Sequence, residues 1–176
     1  MGRDSWSPPE PKRLNMSPER KAITHKFVLP NSHKEIVPRG DGTYEETLVD
    51  VEGYVTAGVY PDGRLGEVFL TIGKQGGLWK VYECLMIAVS VGLQYGIPLS
   101  VFAEKFEHLK FEPRGMTKNK DIPMAHSVVD YLFKWLQMRF PGGVAMDMAD
   151  VKEDENDGSS GCKKTDQRGE SETSGT

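Results

Sequence analysis

The chain has 176 residues, of which 38% are hydrophobic, and a formal net charge of −4. That length fits one domain with tails, and no apolar run reaches the span of a bilayer. Nine acids against four bases from Asp147 onward leave the preceding 146 residues at +1, so no basic field marks duplex nucleic acid as a partner.

Residues 1–17 hold three prolines and little to bury, and read as a flexible, disordered arm with no secretory signal. "ITHKFVL" alternates apolar and polar residues and predicts a strand near 23–29. The next twenty residues, polar and rich in turn formers, read as an excursion ending in a short strand near Leu48–Val51. "GYVTAGVY", "PDGRLG" and "EVFLTIG" predict a β-hairpin over 53–73. Val55, Ala57 and Val59 share one face of its first strand, and Val68, Leu70 and Ile72 share one face of its second.

The period then changes to that of a helix over 78–95, marked by Leu78, Val81, Leu85, Ala88, Val89 and Gly92, with Tyr82, Met86 and Leu93 widening the stripe. It is apolar over more than half its girth, which predicts a central position, and Gly96 with Pro98 stops it. A short helix over 99–107 follows, with Ser100 as its cap. A long helix over 122–140 has Pro123 in its first turn and Ala125, Val128, Val129, Leu132, Phe133, Leu136 and Phe140 along one side. Residues 141–176 are glycine, serine and acid, and read as a disordered acidic tail. The expectation is an α+β domain over 18–140, a small antiparallel sheet with two long helices and a short one packed on one face.

The chemistry is sparse. Gly73-Lys74-Gln75-Gly76-Gly77 joins a strand to a helix, the layout of many phosphate loops, but no Ser or Thr follows its lysine as magnesium would require. Nor do Gly73, Gly76 and Gly77 fit Gly-x-Gly-x-x-Gly. What remains is the anion preference of a helix N-terminus, and a structural corner is the stronger reading. His25, His33, His108 and His126 show no i, i+4 pair, so no metal site is expected. His25, alternating with Phe27, reads as a hydrogen-bonded structural histidine.

Cys84 lies in an apolar helix and reads as a small core residue; Cys162 lies in the polar tail. Two such cysteines make no disulfide framework and read as reduced thiols in a cytoplasm. The stretch from Phe106 to Pro123 is long and basic for a connector, and carries Lys110, Arg114, Lys118 and Lys120. Loops of that kind carry binding residues. Lys74, Gln75, Gly76, Gly77, Lys110, Arg114 and Lys118 are therefore the candidate ligand contacts, and a nucleotide or other anion is the ligand they suit. No catalytic residues stand out.

Five blocks in order, "ERKAITHKF", "EGYVTAGVYPDGRLGEVFLTIGKQGG", "LQYGIPL", "KFEHLKFEPRGMT" and "SVVDYLFKWL", resemble the C-terminal, TSCPD-type domain of adenosylcobalamin-dependent (class II) ribonucleotide reductases. The resemblance runs from about Glu19 to Phe140, with Pro30–Asp50 as an apparent insertion. It implies a part in deoxyribonucleotide synthesis through a thiyl radical made with cobalamin. The radical cysteine and reducing pair of that family have no counterparts here, and Ser-Cys-Pro-Asp is replaced by the neighbourhood of "FEPRGMT". The resemblance therefore implies an accessory domain that docks on a separate catalytic chain, adenosylcobalamin belonging to that partner. A nucleotide-sensing domain and one piece of a split reductase are the alternatives.

Overall fold

The computed structural model describes residues 10–73 and 77–146, the side chains of Gly77 and Leu78 excepted. The acidic segment from Asp147, the first nine residues of the arm, Lys74, Gln75, Gly76 and Cys162 all lie outside the described residues. Three strands form an antiparallel sheet in the order β1 (Ala22–Pro38), β2 (Tyr44–Val59), β3 (Leu65–Ile72). Helices α1 (Gly77–Gln94), α2 (Leu99–Phe106) and α3 (Val128–Arg139) complete the α+β fold, with a two-residue pair, β4 (Gly115–Met116) and β5 (Met124–Ala125), in the connection before α3.

The predicted hairpin is present. Val55, Ala57, Val68, Leu70 and Ile72 all face the core, and the turn closes through Tyr60 N–H donating to Arg64 O at 2.9 Å. Asp62 Oδ1 accepts from Arg64 N at 3.1 Å, the local turn chemistry that Pro-Asp-Gly implies.

The polar stretch after Leu29 is not a loose excursion. β1 continues to Pro38 and β2 begins at Tyr44, so residues 30–50 form a two-stranded ribbon. Beyond its base, where His33 meets Trp79, no residue of the ribbon is buried, which explains why apolar alternation is missing. Its stability comes from the ladder and from cross-strand pairs such as Lys34–Glu46 at 2.6 Å. A bulge at 30–32 interrupts the register between Leu29/Val51 and His33/Val49. There Asn31 takes a positive φ of 47° and donates its N–H to Asp50 Oδ1 at 2.9 Å.

The helices cover one face of the sheet. α1 lies on β3, and its Ser90 hydroxyl accepts from Val68 N at 2.8 Å and has Met86 O at 2.8 Å and Val68 O at 3.0 Å as acceptors for its proton. Gln94 Nε2 donates to Gly66 O at 3.1 Å. Two buried polar side chains thus occupy the open edge of β3, a site where an unpaired strand would otherwise recruit another chain. α3 covers β1, where Tyr131 meets Phe27 at 5.5 Å between ring centroids and Trp135 stacks on His25 at 4.9 Å.

Two helix expectations need correction. α3 begins at Val128, not near 122, because Met124–Ala125 pairs with β4 and Ser127 is the N-cap, its hydroxyl accepting from Asp130 N at 3.0 Å. α2 has Pro98 as its N-cap, without a side-chain cap from Ser100. The stripe expected of α3 is buried throughout, and so are Tyr131 and Trp135, which leaves that helix no aromatic docking face.

The expected stripe of α1 holds on the side of Tyr82, Met86, Val89 and Gly92, which are buried, and fails on the side of Val81 and Ala88. Trp79, Tyr82, Met86 and Val89 face inward, while Val81 and Ala88 face solvent. Cys84 is exposed, not a core residue, because it falls on this outer side. Part of the N-terminal arm is also engaged. Leu14 N–H donates to Gln94 O at 2.8 Å, Tyr60 OH donates to Leu14 O at 2.6 Å, and Arg13 Nε donates to Gln94 Oε1 at 2.7 Å. Arg20 clamps Glu67 with two nitrogens, one at 2.8 Å. At the other end Ala145 N–H donates to Gly63 O at 2.9 Å.

Candidate functional site

The long basic connector between α2 and α3 is built around one buried carboxylate. Asp130 is fully buried in the first turn of α3. Its Oδ1 accepts from His108 N at 2.6 Å, and its Oδ2 accepts from His126 N at 2.8 Å and from Lys134 Nζ at 2.7 Å. The connector's first and last turns are thereby tied to one side chain, and His108 is held at a positive φ of 63°. Burial pushes the Asp130 carboxyl up. The hydrogen bonds from His126 N–H, the Lys134 ammonium and His108 N–H outweigh burial and hold it below its ordinary value.

The middle of the connector is pinned separately. Phe111 N–H donates to His126 O at 3.1 Å, and Thr117 N–H donates to Pro123 O at 3.0 Å while its hydroxyl donates to Ile122 O. Asn119 Nδ2 donates to the Tyr131 hydroxyl at 3.1 Å, and the same hydroxyl lies 2.8 Å from His25 Nε2. His25 thus has the hydrogen-bonded structural place its alternation implied. Gly115 backs onto the β1 bulge, where an added Cβ would lie 3.9 Å from Pro30 O.

Lys110, Arg114 and Lys118 are exposed on this pinned frame. Phe111, between the first two, stacks on Tyr82 at 6.3 Å, and Tyr82 in turn contacts Trp79 at 5.8 Å. His33 of the ribbon meets Trp79 edge-on at 5.3 Å. The first turns of α1, opened by Gly77, the basic connector and the ribbon base therefore share one aromatic cluster. Sequence reasoning proposed the glycine corner and the basic loop separately; the structure places Tyr82 of α1 beside Phe111, while Lys74, Gln75 and Gly76 lie outside the described residues. The Tyr82 hydroxyl is buried and has no hydrogen-bond partner among the described residues, and burial raises its pKa.

The hub itself escaped sequence reasoning. Its signal was a carboxylate inside an apolar helical run, "SVVDYLF", three residues after a serine that caps a helix. Among the described residues no three His, Cys, Asp or Glu side chains are grouped as a metal site would need, and no helix is long and apolar enough to cross a membrane. A cleft of about 400 Å³ lies between the connector and α3, lined by Glu107, Asp121, Met124, Lys134, Gln137 and Met138 among others.

Comparison with known proteins places this architecture. The chain is 38% identical over 135 residues to the vitamin B12-dependent ribonucleotide reductase of Rhodopirellula baltica, spanning 76% of this chain and 11% of that protein. It is 42% identical over 132 residues to the enzyme of the same name from Streptantibioticus cattleyicolor, 73% of this chain and 22% of that protein. Over 95 residues it is 52% identical to that of Streptomyces coelicolor, 53% of this chain and 10% of that protein. The chain thus spans about a tenth to a fifth of the length of these curated relatives. No solved structure matches it. The pattern of the TSCPD domain matches residues 30–140, a stretch that takes in the ribbon read above as an insertion, the hairpin, all three helices and the pinned connector; the chain belongs to the TSCPD domain family.

Proposed function

We propose that this protein is an accessory module of ribonucleotide reduction that docks on a cobalamin-dependent catalytic chain. One observation carries the reading: nearly all of the described domain matches a small part of proteins named vitamin B12-dependent ribonucleotide reductase. A module of this kind contributes binding and positioning, while adenosylcobalamin and the reacting thiols belong to the partner. Its place of work is then the cytoplasm, where ribonucleotides are reduced.

Reconstitution tests this. The catalytic chain from the same source, lacking any such module, is assayed for ribonucleotide reduction with and without this protein, and co-elution is followed on a sizing column. Co-elution with a changed rate is the expected result. A catalytic chain inert alone and active in the mixture would make this protein one piece of a split reductase. Neither association nor effect would overturn the docking reading.

A second reading is favoured by the contact of Phe111 with Tyr82 of α1, in a connector that exposes Lys110 and Arg114. Cationic side chains beside the half-exposed Phe111 ring suit a nucleotide. Under that reading millimolar nucleotide raises the melting temperature, and replacing Lys110, Arg114 and Lys118 with alanine removes the rise. No rise in the unaltered chain would end it.

A further inference from the structure

The outer side of α1 does not look like the surface of an isolated domain. From Cys84 to Gln94 the helix carries no charged residue. Val81 is nonetheless 61% exposed, Ile87 55% and Val91 37%, with Cys84 and Ala88 exposed among them. A helix apolar on every side is ordinarily covered on every side. Its inner side already lies on β3, and that contact uses Ser90 and Gln94, the polar residues of the segment. Nothing polar remains to wet the outer side.

The spacing of the exposed residues is specific. Val81, Cys84, Ala88 and Val91 follow one another at alternating intervals of three and four, and Tyr95 continues the series. That is the seam of a helix made to pack along another helix. Charge decides the direction. Lys80 and Glu83 are the helix's charged residues, and both lie at its N-terminal end. Two copies in parallel would set lysine beside lysine and glutamate beside glutamate.

Reversed, the seam matches itself about Met86, with Val81 against Val91 and Cys84 against Ala88, each pair occurring twice. The two Lys80 residues are then about 18 Å apart along the axis, and the helix dipoles oppose each other favourably. A two-fold contact of this kind is closed and self-complementary. Its core has no charge to desolvate.

We propose that α1 is a homodimer interface, in which two copies of this chain pack antiparallel through Val81, Cys84, Ala88 and Val91, flanked by Ile87. One helix from each side makes a small interface, so the dissociation constant is on the order of 10 μM. The inference is independent of the docking reading above.

Sedimentation equilibrium of the full chain, with Cys162→Ser to leave one thiol, tests it from micromolar to submillimolar concentration. A reversible monomer–dimer equilibrium is expected, and Ala88→Arg or Val91→Glu weakens it about 30-fold or more. Both positions are exposed, so at concentrations below the dissociation constant the variants melt near the unaltered chain. In a background with Cys84→Ser as well, a mixture of V81C and V91C chains oxidises to a covalent dimer, and V81C alone does not. A monomer throughout the range overturns the proposal, as does a dimer indifferent to Ala88→Arg. Self-pairing of V81C, meaning parallel helices, also overturns it. So does protection of Cys84 from alkylation by a reductase chain when this protein alone is monomeric, since the face would then belong to that chain.

Discussion

Replacing Asp130 with alanine is expected to lower stability by about 3 kcal/mol, a fall in melting temperature on the order of 10 °C. The carboxylate is fully buried and accepts from two backbone N–H groups and one ammonium. Without it, His108 N–H and His126 N–H lose their acceptor and Lys134 its counter-charge. The connector should come loose at both ends, so amide exchange at His108, Phe111 and His126 rises more than in β2. Asp130→Asn keeps the shape and one acceptor oxygen, and is expected to lose less. A melting temperature for Asp130→Ala within roughly 2 °C of the unaltered chain would show that the hub is not needed.

The same carboxyl sets an acid limit. Its folded pKa lies below the ordinary 3.8, so the folded state holds the proton less tightly than the unfolded chain does. The contribution is complete above that ordinary value and is lost as pH falls through the folded one. Thermal melts taken downward from pH 5 should therefore converge for the unaltered chain and Asp130→Ala, whereas at pH 7 they stay apart.

Phe27→Ala is expected to cost about 4 kcal/mol. Phe27 is 1% exposed, contacts Tyr131 of α3, and pairs directly across the ladder with Gly53. Its ring lies over that glycine, with Cζ 2.9 Å from where a Cβ at Gly53 would sit. The arrangement fills the gap left by a residue without a side chain. The complementary substitution, Gly53→Ala, is destabilising too, and removing the ring does not rescue it. Thr71 O lies 2.7 Å from the new Cβ, and a backbone carbonyl in a ladder cannot step aside. Chemical denaturation of the two single variants and the double variant measures this. A double variant as stable as Phe27→Ala would refute the backbone clash.

What the sequence disclosed depended on whether a pattern had a phase. The hairpin was legible because alternation in β2 and β3 distinguishes a covered face from a wet one, and Pro-Asp-Gly marks the corner. The ribbon was not, because strands with no buried residue have no reason to alternate; their pairing is written in charges such as Lys34 and Glu46. α1 was legible as a helix but only partly in orientation, since apolar residues all round blur the inward side that Tyr82, Met86 and Val89 mark, and Cys84 was misplaced for that reason. The start of α3 was misread because Pro123 imitates a first turn, while Ser127 and Asp130 carried the true cap. At the candidate site, the basic residues could be read one by one. The frame beneath them could not, because it depends on contacts such as His108 to Asp130 and Phe111 to Tyr82, more than twenty residues apart in sequence.

Gln94 gives the domain a polarity. Its carbonyl receives Leu14, its side-chain oxygen receives Arg13, and its amide reaches the edge of β3, so the N-terminal arm is moored at the last turn of α1. Phe111 and the basic connector gather at the first turns of the same helix. From Tyr82, on which Phe111 stacks, to Gln94 runs about 18 Å of nearly rigid rod. The arm at Arg13 and Leu14 therefore meets the helix at the end away from Phe111. A body pulling on the arm would load the hydrogen bonds at Gln94 in shear, leaving the far pole undisturbed and free to engage something else.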